Sequence, residues 1–254
     1  MKNLCTENQE KKYFIEAPVA FFELDRMGNI CVVDTNNCIY IYDQDGNKKH
    51  SFTDNQLGKI TSIDTSFPLK VMVFYADSGM LVFLDNTLKE IERIILKDSG
   101  KFLNVSAAAL SNDNLIWIYD MRWQRIFKIN ASFEVFKETK VFNDLGLVDF
   151  KPEFLTEKSN VLLAAMRHKG FVLFDTLGQL KTRILSGDMI NFQFEGNKIL
   201  VQNKKGMAIQ AFDPPTQFNL PMPKGLSEEP YKQIRLAKDR WYIAYENGIN
   251  WLAK

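Results

Sequence analysis

The chain has 254 residues, 46% hydrophobic, 13% aromatic and 25% charged, which is ample for one large core and far from a disordered profile. Its 32 basic and 31 acidic residues leave a formal net charge of +1, so no excess positive field draws in nucleic acid or an anionic membrane surface. No apolar run reaches the length of a membrane span, and residues 1 to 12 are too polar to hold the apolar core of an export signal; a soluble chain without membrane insertion is the expectation.

In chain order, residues 1 to 12 read as a flexible segment, and Tyr13-Phe14-Ile15-Glu16 is a short extended run with no partner close by. A first unit of four strands follows. Phe21-Phe22-Glu23-Leu24 turns at residues 25 to 28 into Ile30-Cys31-Val32-Val33-Asp34, then Ile39-Tyr40-Ile41-Tyr42-Asp43, with residues 43 to 47 as the next turn because Asp, Gly and Asn tolerate positive φ. The second unit runs from Ile60-Thr61-Ser62-Ile63 to Ile91-Glu92-Arg93-Ile94-Ile95-Leu96, and the third spans residues 106 to 141. The fourth spans residues 154 to 185 around Phe171-Val172-Leu173-Phe174-Asp175. The fifth begins near Asn191 and carries Ala208-Ile209-Gln210-Ala211-Phe212-Asp213, with Pro214-Pro215 where the others turn. The turn-forming residues Asp43, Asp85, Asn130, Asp175 and Asp213 recur about every 40 residues, the period of a four-stranded blade that must stack on neighbours to bury its faces.

The sixth unit supplies only three strands, Gln233-Ile234-Arg235-Leu236, Trp241-Tyr242-Ile243-Ala244-Tyr245 and Ile249-Asn250-Trp251-Leu252. Tyr13-Phe14-Ile15-Glu16 completes it. The predicted fold is therefore an all-β, six-bladed β-propeller over residues 13–254, a monomeric ring closed by an N-terminal strand that becomes the outer strand of the last blade.

Chemistry is harder to find. If Asn36-Asn37 is a two-residue turn, Cys31 and Cys38 share a face but lie roughly 13 Å apart along the strands, too far for a disulfide. His50 and His168 are the two histidines, and neither stands in a metal-binding spacing. Asp34, Asp77 and Asp120 end equivalent strands and are the candidate ligands for a Ca²⁺ ion; the favoured reading is that they accept hydrogen bonds from the backbone of the turns that follow, with no cofactor. Residues 43 to 47 imitate the start of an EF-hand loop, but the ligand spacing fails and a hairpin turn is expected.

The turns between the second and third strands of each blade lie on one face. They are acidic in blades one and two and basic in blades four and five, where Arg167, His168, Lys169, Lys204 and Lys205 fall. Such a polarised face orients a protein partner, with Trp123 beside Arg122 as a candidate aromatic anchor.

The first blade, from Asp25 through Gly46, resembles the NHL-type repeat of six-bladed propellers, departing at Cys38 where that repeat usually has Arg. Gly58-Lys59-Ile60-Thr61-Ser62-Ile63-Asp64, Pro68-Leu69-Lys70-Val71-Met72-Val73-Phe74-Tyr75 and Leu115-Ile116-Trp117-Ile118-Tyr119-Asp120 make blades two and three similar to a family of Bacteroidota cell-envelope propellers. That family looks related to the periplasmic plug subunit of the type IX secretion translocon. The resemblance implies a protein-binding or plug-like role in the periplasm or envelope, with an outer-membrane translocon component as partner and no catalytic residue. Members of that family are exported, and the absence of an export signal in this sequence leaves a cytoplasmic location open. A Ca²⁺-dependent hydrolase or lactonase of the TolB-like propeller type, with carboxylates lining the axial channel, is the alternative.

Overall fold

The computed structural model describes residues 12–187, 189–203, 206–237 and 239–254. The segment expected to be flexible thus lies, apart from Lys12, outside the described residues.

A short strand, β1 (Ile15–Glu16), precedes the first complete blade: β2 (Val19–Leu24), β3 (Ile30–Asp34), β4 (Cys38–Tyr42) and β5 (Lys48–Thr53). The second is β6 (Ser62–Phe67), β7 (Lys70–Tyr75), β8 (Met80–Asp85) and β9 (Glu90–Ile95); the third is β10 (Val105–Leu110), β11 (Ile116–Asp120), β12 (Arg125–Ile129) and β13 (Val135–Glu138). The fourth and fifth are β14 (Phe154–Lys158), β15 (Val161–Met166), β16 (Gly170–Asp175), β17 (Leu180–Leu185), and β18 (Met189–Glu195), β19 (Lys198–Asn203), β20 (Gly206–Phe212), β21 (Pro215–Leu220). The sixth holds β22 (Gln233–Leu236), β23 (Arg240–Ala244) and β24 (Gly248–Ala253), with β1 as its outer strand through Ile15 opposite Ile249 and Glu16 opposite Gly248. The described residues thus build six four-stranded antiparallel sheets, a six-bladed β-propeller closed by the N-terminal strand.

Both faces of each blade are covered by a neighbour, which explains why the second strands read as unbroken apolar runs. All five residues of β3 and of β11 are buried, whereas the outer strand β17 alternates between half-buried and exposed. One apolar cluster fills each gap between neighbouring blades. Val73, Val82 and Leu84 meet Cys31, Val33 and Ile39 between blades one and two. Phe102, Phe127 and Phe83 pack between two and three, and Trp117, Tyr119, Phe142 and Phe174 between three and four. Phe171, Phe194 and Val201 lie between four and five, Met207, Ile234 and Trp241 between five and six, and Phe22, Val32 and Tyr242 between six and one.

Four of the five recurring turn residues build one recurring turn; Asp213 departs, since Pro215 two positions ahead has no N–H to donate. The carboxylate of Asp43 accepts the N–H groups of Asp45 (3.0 Å) and Asn47 (2.8 Å), and that of Asp85 accepts those of Thr87 (2.8 Å) and Lys89 (2.9 Å). Asp25, Asp34, Asn130 and Asp175 do the same two and four residues ahead. Three residues past each of these side chains the backbone is left-handed: φ is +85° at Gly28, +64° at Asn37, +78° at Gly46, +60° at Leu88, +65° at Phe133 and +82° at Gly178. Leu88 and Phe133 hold this conformation without being glycine because their side chains pack into the gaps flanking blade two and blade three.

This turn also corrects the register expected around the cysteines. Cys31 pairs with Ile41 because the Asp34 carboxylate and left-handed Asn37 impose a three-residue loop over residues 35 to 37 in place of the two-residue Asn36-Asn37 turn. The shift puts Cys31 and Cys38 on opposite faces of the sheet, and both are free thiols. Cys31 sits in the gap between blades, where burial pushes its thiol far above the ordinary range.

Candidate functional site

The innermost strands surround an axial cavity of ≈ 1940 Å³. Adjacent innermost strands are joined by side chains that reach across to the next blade. The Gln233 amide accepts from Phe22 N–H (2.9 Å) and donates to Phe22 C=O (2.8 Å), so one side chain continues a ladder that the strands themselves do not make. Gln193 grips Leu236 in the same way at 2.7 Å for both bonds. Asp64 accepts the N–H of Leu110 (2.9 Å), Thr65 donates to Leu24 C=O (3.2 Å), and Ser106 donates to Pro152 C=O (2.7 Å).

The channel carboxylates are held in this lattice. Arg235, almost fully buried, forks onto both oxygens of Glu23 and donates a further bond to Asn191 Oδ1 (3.0 Å). Glu195 pairs with Lys158 (3.3 Å) and accepts from Gln193 (2.9 Å). Carboxylates therefore do line the channel, but each of these is neutralised or tied to a neighbouring blade, and among the described residues no group of three or more His, Cys, Asp or Glu gathers for a metal.

The candidate Ca²⁺ ligands are not brought together. Asp34 is committed to its turn, and Asp120, fully buried, accepts from the N–H groups of Asn104 (3.1 Å), Arg122 (2.8 Å) and Trp123 (3.2 Å). Asp77 departs from the expected role: it is exposed at one mouth of the channel, and the contact it makes there is through its carbonyl, with Lys97 Nζ at 3.3 Å. Its turn is closed instead by Gly79 N–H on Tyr75 and Ala76 C=O. The EF-hand-like segment is a hairpin turn, with Lys49 paired to Asp43 at 2.8 Å; Lys49 and the turn amides hold that carboxyl well below its usual range.

Chain direction puts the turns between second and third strands on the same face as the connections between blades. Trp123 lies on this face, 42% exposed, with its indole N–H donating to Lys101 C=O (3.0 Å) and the Arg122 guanidinium 5.6 Å from its ring centre. That bond ties the Trp123 ring to the connection from blade two to blade three. Arg167 and His168 stand at the channel mouth. Arg167 lies 5.1 Å over the Phe154 ring and 3.7 Å from Glu153, while His168, at φ +62°, faces Gly187 C=O from Nδ1 (3.2 Å). Lys169 is exposed beside them, its carbonyl accepting Ser186 N–H. Lys204 and Lys205 lie outside the described residues.

Besides Ile95 at the end of β9, four further exposed apolar side chains on this face, over blades three to five, were not anticipated: Leu103 and Val148 in the connections flanking blade three, Leu185 at the end of β17, and Ile190 at the start of β18. Leu185 is 87% exposed. Together with Trp123 they form an arc from blade three to blade five, and the arc is stiffened by Phe142 N–H on Gln124 C=O (2.8 Å) and by Arg183 on the carbonyls of Leu145 and Gly146. For Leu103 and Val148 the available signal was an apolar residue inside a connection where no strand period calls for one.

No protein-family model matches the chain, and no curated protein is significantly similar to it. Solved structures do match. Virginiamycin B lyase from Staphylococcus aureus is similar over 92% of this chain and 79% of its own, at 12% identity and a TM-score of 0.57. The Pan2 WD40 domain of Neurospora crassa matches over 94% and 80%, at 10% identity and a TM-score of 0.60. The extracellular domain of the putative hybrid two-component system BT3049 from B. thetaiotaomicron matches 91% of this chain and 33% of its own, at 14% identity and a TM-score of 0.58. At these identities the likeness defines the class, a β-propeller, and nothing finer.

Proposed function

We propose that this propeller is a non-enzymatic scaffold that docks a protein partner on the face carrying Trp123. The observation that carries the reading is the concentration of exposed Leu103, Trp123, Val148, Leu185 and Ile190 on that face over blades three to five. Exposed apolar side chains scattered singly call for no explanation, but an arc of them on rigid turns, bordered by Arg122, Arg167 and Lys169, has the make-up of a recognition surface. In its specific form the reading makes the chain a plug-like envelope subunit facing an outer-membrane translocon component. That form is supported by the likeness of blades two and three to the Bacteroidota envelope family.

The test compares the wild-type protein with a Trp123→Ser, Leu185→Ser double variant, both immobilised and exposed to solubilised Bacteroidota envelope extract. Leu185 is almost fully exposed, whereas Trp123→Ser also removes the indole bond to Lys101 C=O, so capture by both proteins is compared well below the melting temperature measured for the variant. The reading predicts at least a tenfold loss of a particular captured protein on the variant, and a translocon component among the losses supports the specific form. Identical capture by both proteins removes the reading.

A further inference from the structure

The outer edge of blade six differs from the other five. Its outer strand β1 has two residues, whereas β5, β9, β13, β17 and β21 each have four to six. Tyr245 N–H donates to Gly248 C=O (2.8 Å) and Lys254 N–H to Asp239 C=O (2.9 Å), which fixes the alternation along β24: Gly248, Asn250 and Leu252 bond inward to β23, and Ile249, Trp251 and Ala253 present their N–H and C=O groups outward. Ala17 opposite Asn247 and Ile15 opposite Ile249 use the first of these outward positions.

The next residue in that register, Tyr13 opposite Trp251, leaves the edge. Its hydroxyl donates to Glu229 Oε1 (2.7 Å), its ring packs 5.9 Å from that of Tyr245, and Lys12 pairs with the same Glu229 at 3.2 Å. Phe14 N–H turns to the Asn250 side chain (2.8 Å) instead of a backbone carbonyl. The outward backbone groups of Trp251 and Ala253 therefore have no strand beside them among the described residues.

Unpaired strand edges are usually blunted by charge or proline. The outer strands here follow that rule: β5 carries Lys48 and Lys49, β9 carries Glu90, Glu92 and Arg93, β13 carries Lys137 and Glu138, β17 carries Lys181 and Arg183, and β21 opens on Pro215. The open stretch of β24 reads Asn250-Trp251-Leu252-Ala253, with no charge in it. Trp251 is half exposed there, with Phe14 edge-on at 6.4 Å and the Arg240 guanidinium 4.4 Å from its ring centre.

We infer that the edge of β24 is a strand-addition site that takes an extended segment of a partner chain, apolar opposite Trp251 and acidic towards Arg240 and Lys254. The N–H and C=O groups of Trp251 and Ala253, which no strand among the described residues pairs, call for an extended backbone running antiparallel to β24, in the line that β1 begins. The cations at this end of the blade, Arg240 and the exposed Lys254, select the acidic flank. This site is separate from the face carrying Trp123 and does not depend on it.

The probe is an acetylated, amidated heptapeptide alternating valine and threonine with a glutamate at each end, added to the full chain, with amide hydrogen exchange as readout. The expected result is at least tenfold slower exchange at Trp251 and Ala253, and at least tenfold weaker binding to Ala253→Pro. That variant loses one outward N–H and no bond to β23, so the blade itself is retained. Equal binding by Ala253→Pro, or slowing confined to the outer strands of other blades, overturns the inference. Slowing of the same amides with rising protein concentration and no peptide also overturns it, because the edge then belongs to a second copy of the chain.

Discussion

Blades three and four are neighbours in sequence, and the gap between them holds more buried aromatic rings than any other cluster: Phe142 lies 4.9 Å from Tyr119, 5.8 Å from Phe174 and 6.3 Å from Phe150, all ring centre to ring centre. Its one buried acid, Glu157, accepts from Ser111 Oγ (2.6 Å), Trp117 Nε1 (2.5 Å) and Asn112 N–H (3.3 Å). Blades six and one are joined differently. There the chain ends meet through a two-residue strand, the Gln233 amide on Phe22, and Tyr13 tucked under Gly248. The contrast is one of emphasis: packed rings dominate the gap between blades three and four, whereas the join of six to one adds to its apolar cluster a short strand and the Gln233 clasp, a device that Gln193 also uses between blades five and six.

The largest expected effect breaks the aromatic joint. Phe142→Ala opens a cavity among three rings and is expected to cost about 3–5 kcal/mol, read as a lowered urea midpoint with an unchanged slope. If the closure were the weaker link in global unfolding, that loss would be no larger than for a clasp variant. Gln233→Leu is the matching probe on the other side. It strands the N–H and C=O of buried Phe22 and should cost about 1–3 kcal/mol, with hydrogen exchange accelerating first in β2 and β22. Gly248→Ala is comparable at about 1–3 kcal/mol, because a Cβ there would stand 2.3 Å from Tyr13 Cγ and 2.6 Å from Ile15 C=O. Faster exchange at Ala17 and Val19, whose N–H groups bond to Asn247 and Glu246, with β11 and β15 unaffected, would mark the closure as a separable unit; uniform acceleration would not.

The legibility of the sequence follows the same division. Period-two strands and turn-forming acids are local signals, so the six units, the missing strand and the hairpin nature of residues 43 to 47 could all be read from short stretches. The closure could be read because a blade short of one strand has an edge to cover. The register at Cys38 was off by one because a carboxylate at Asp34 and a left-handed Asn37 demand a longer loop than a pair of asparagines suggests. Glu157, Gln193, Gln233 and Arg235 were missed altogether, since their partners lie on the next blade, from about 40 to over 200 residues away in sequence. A polar residue recurring in the innermost strand, as Asp64, Glu157, Gln193 and Gln233, was the signal. The docking face was half legible: Trp123 and the basic turns stood out, while Leu103, Val148, Leu185 and Ile190 required knowing which connections share a face.

The smallest expected effect sharpens the comparison by pH. The Tyr13 hydroxyl first, and Lys12 second, hold the Glu229 carboxyl below its ordinary value. A depressed carboxylate stabilises the fold above its unfolded pKa, about 4.3 for glutamate, and that contribution disappears as pH falls through the lower folded value. Asp43, Asp85 and Asp113 are held low as well, so acid weakens the whole ring and the absolute slope says little about the clasp. The informative quantity is the difference between wild type and Glu229→Gln. At neutral pH the variant should be slightly less stable, and the two urea midpoints should draw together as the pH falls below the unfolded glutamate value of about 4.3 and meet once it has passed through the lower folded value of Glu229. Midpoints that stay apart by the same amount across the range would mean that Glu229 acts through its shape and not its charge, leaving Tyr13 held by packing alone.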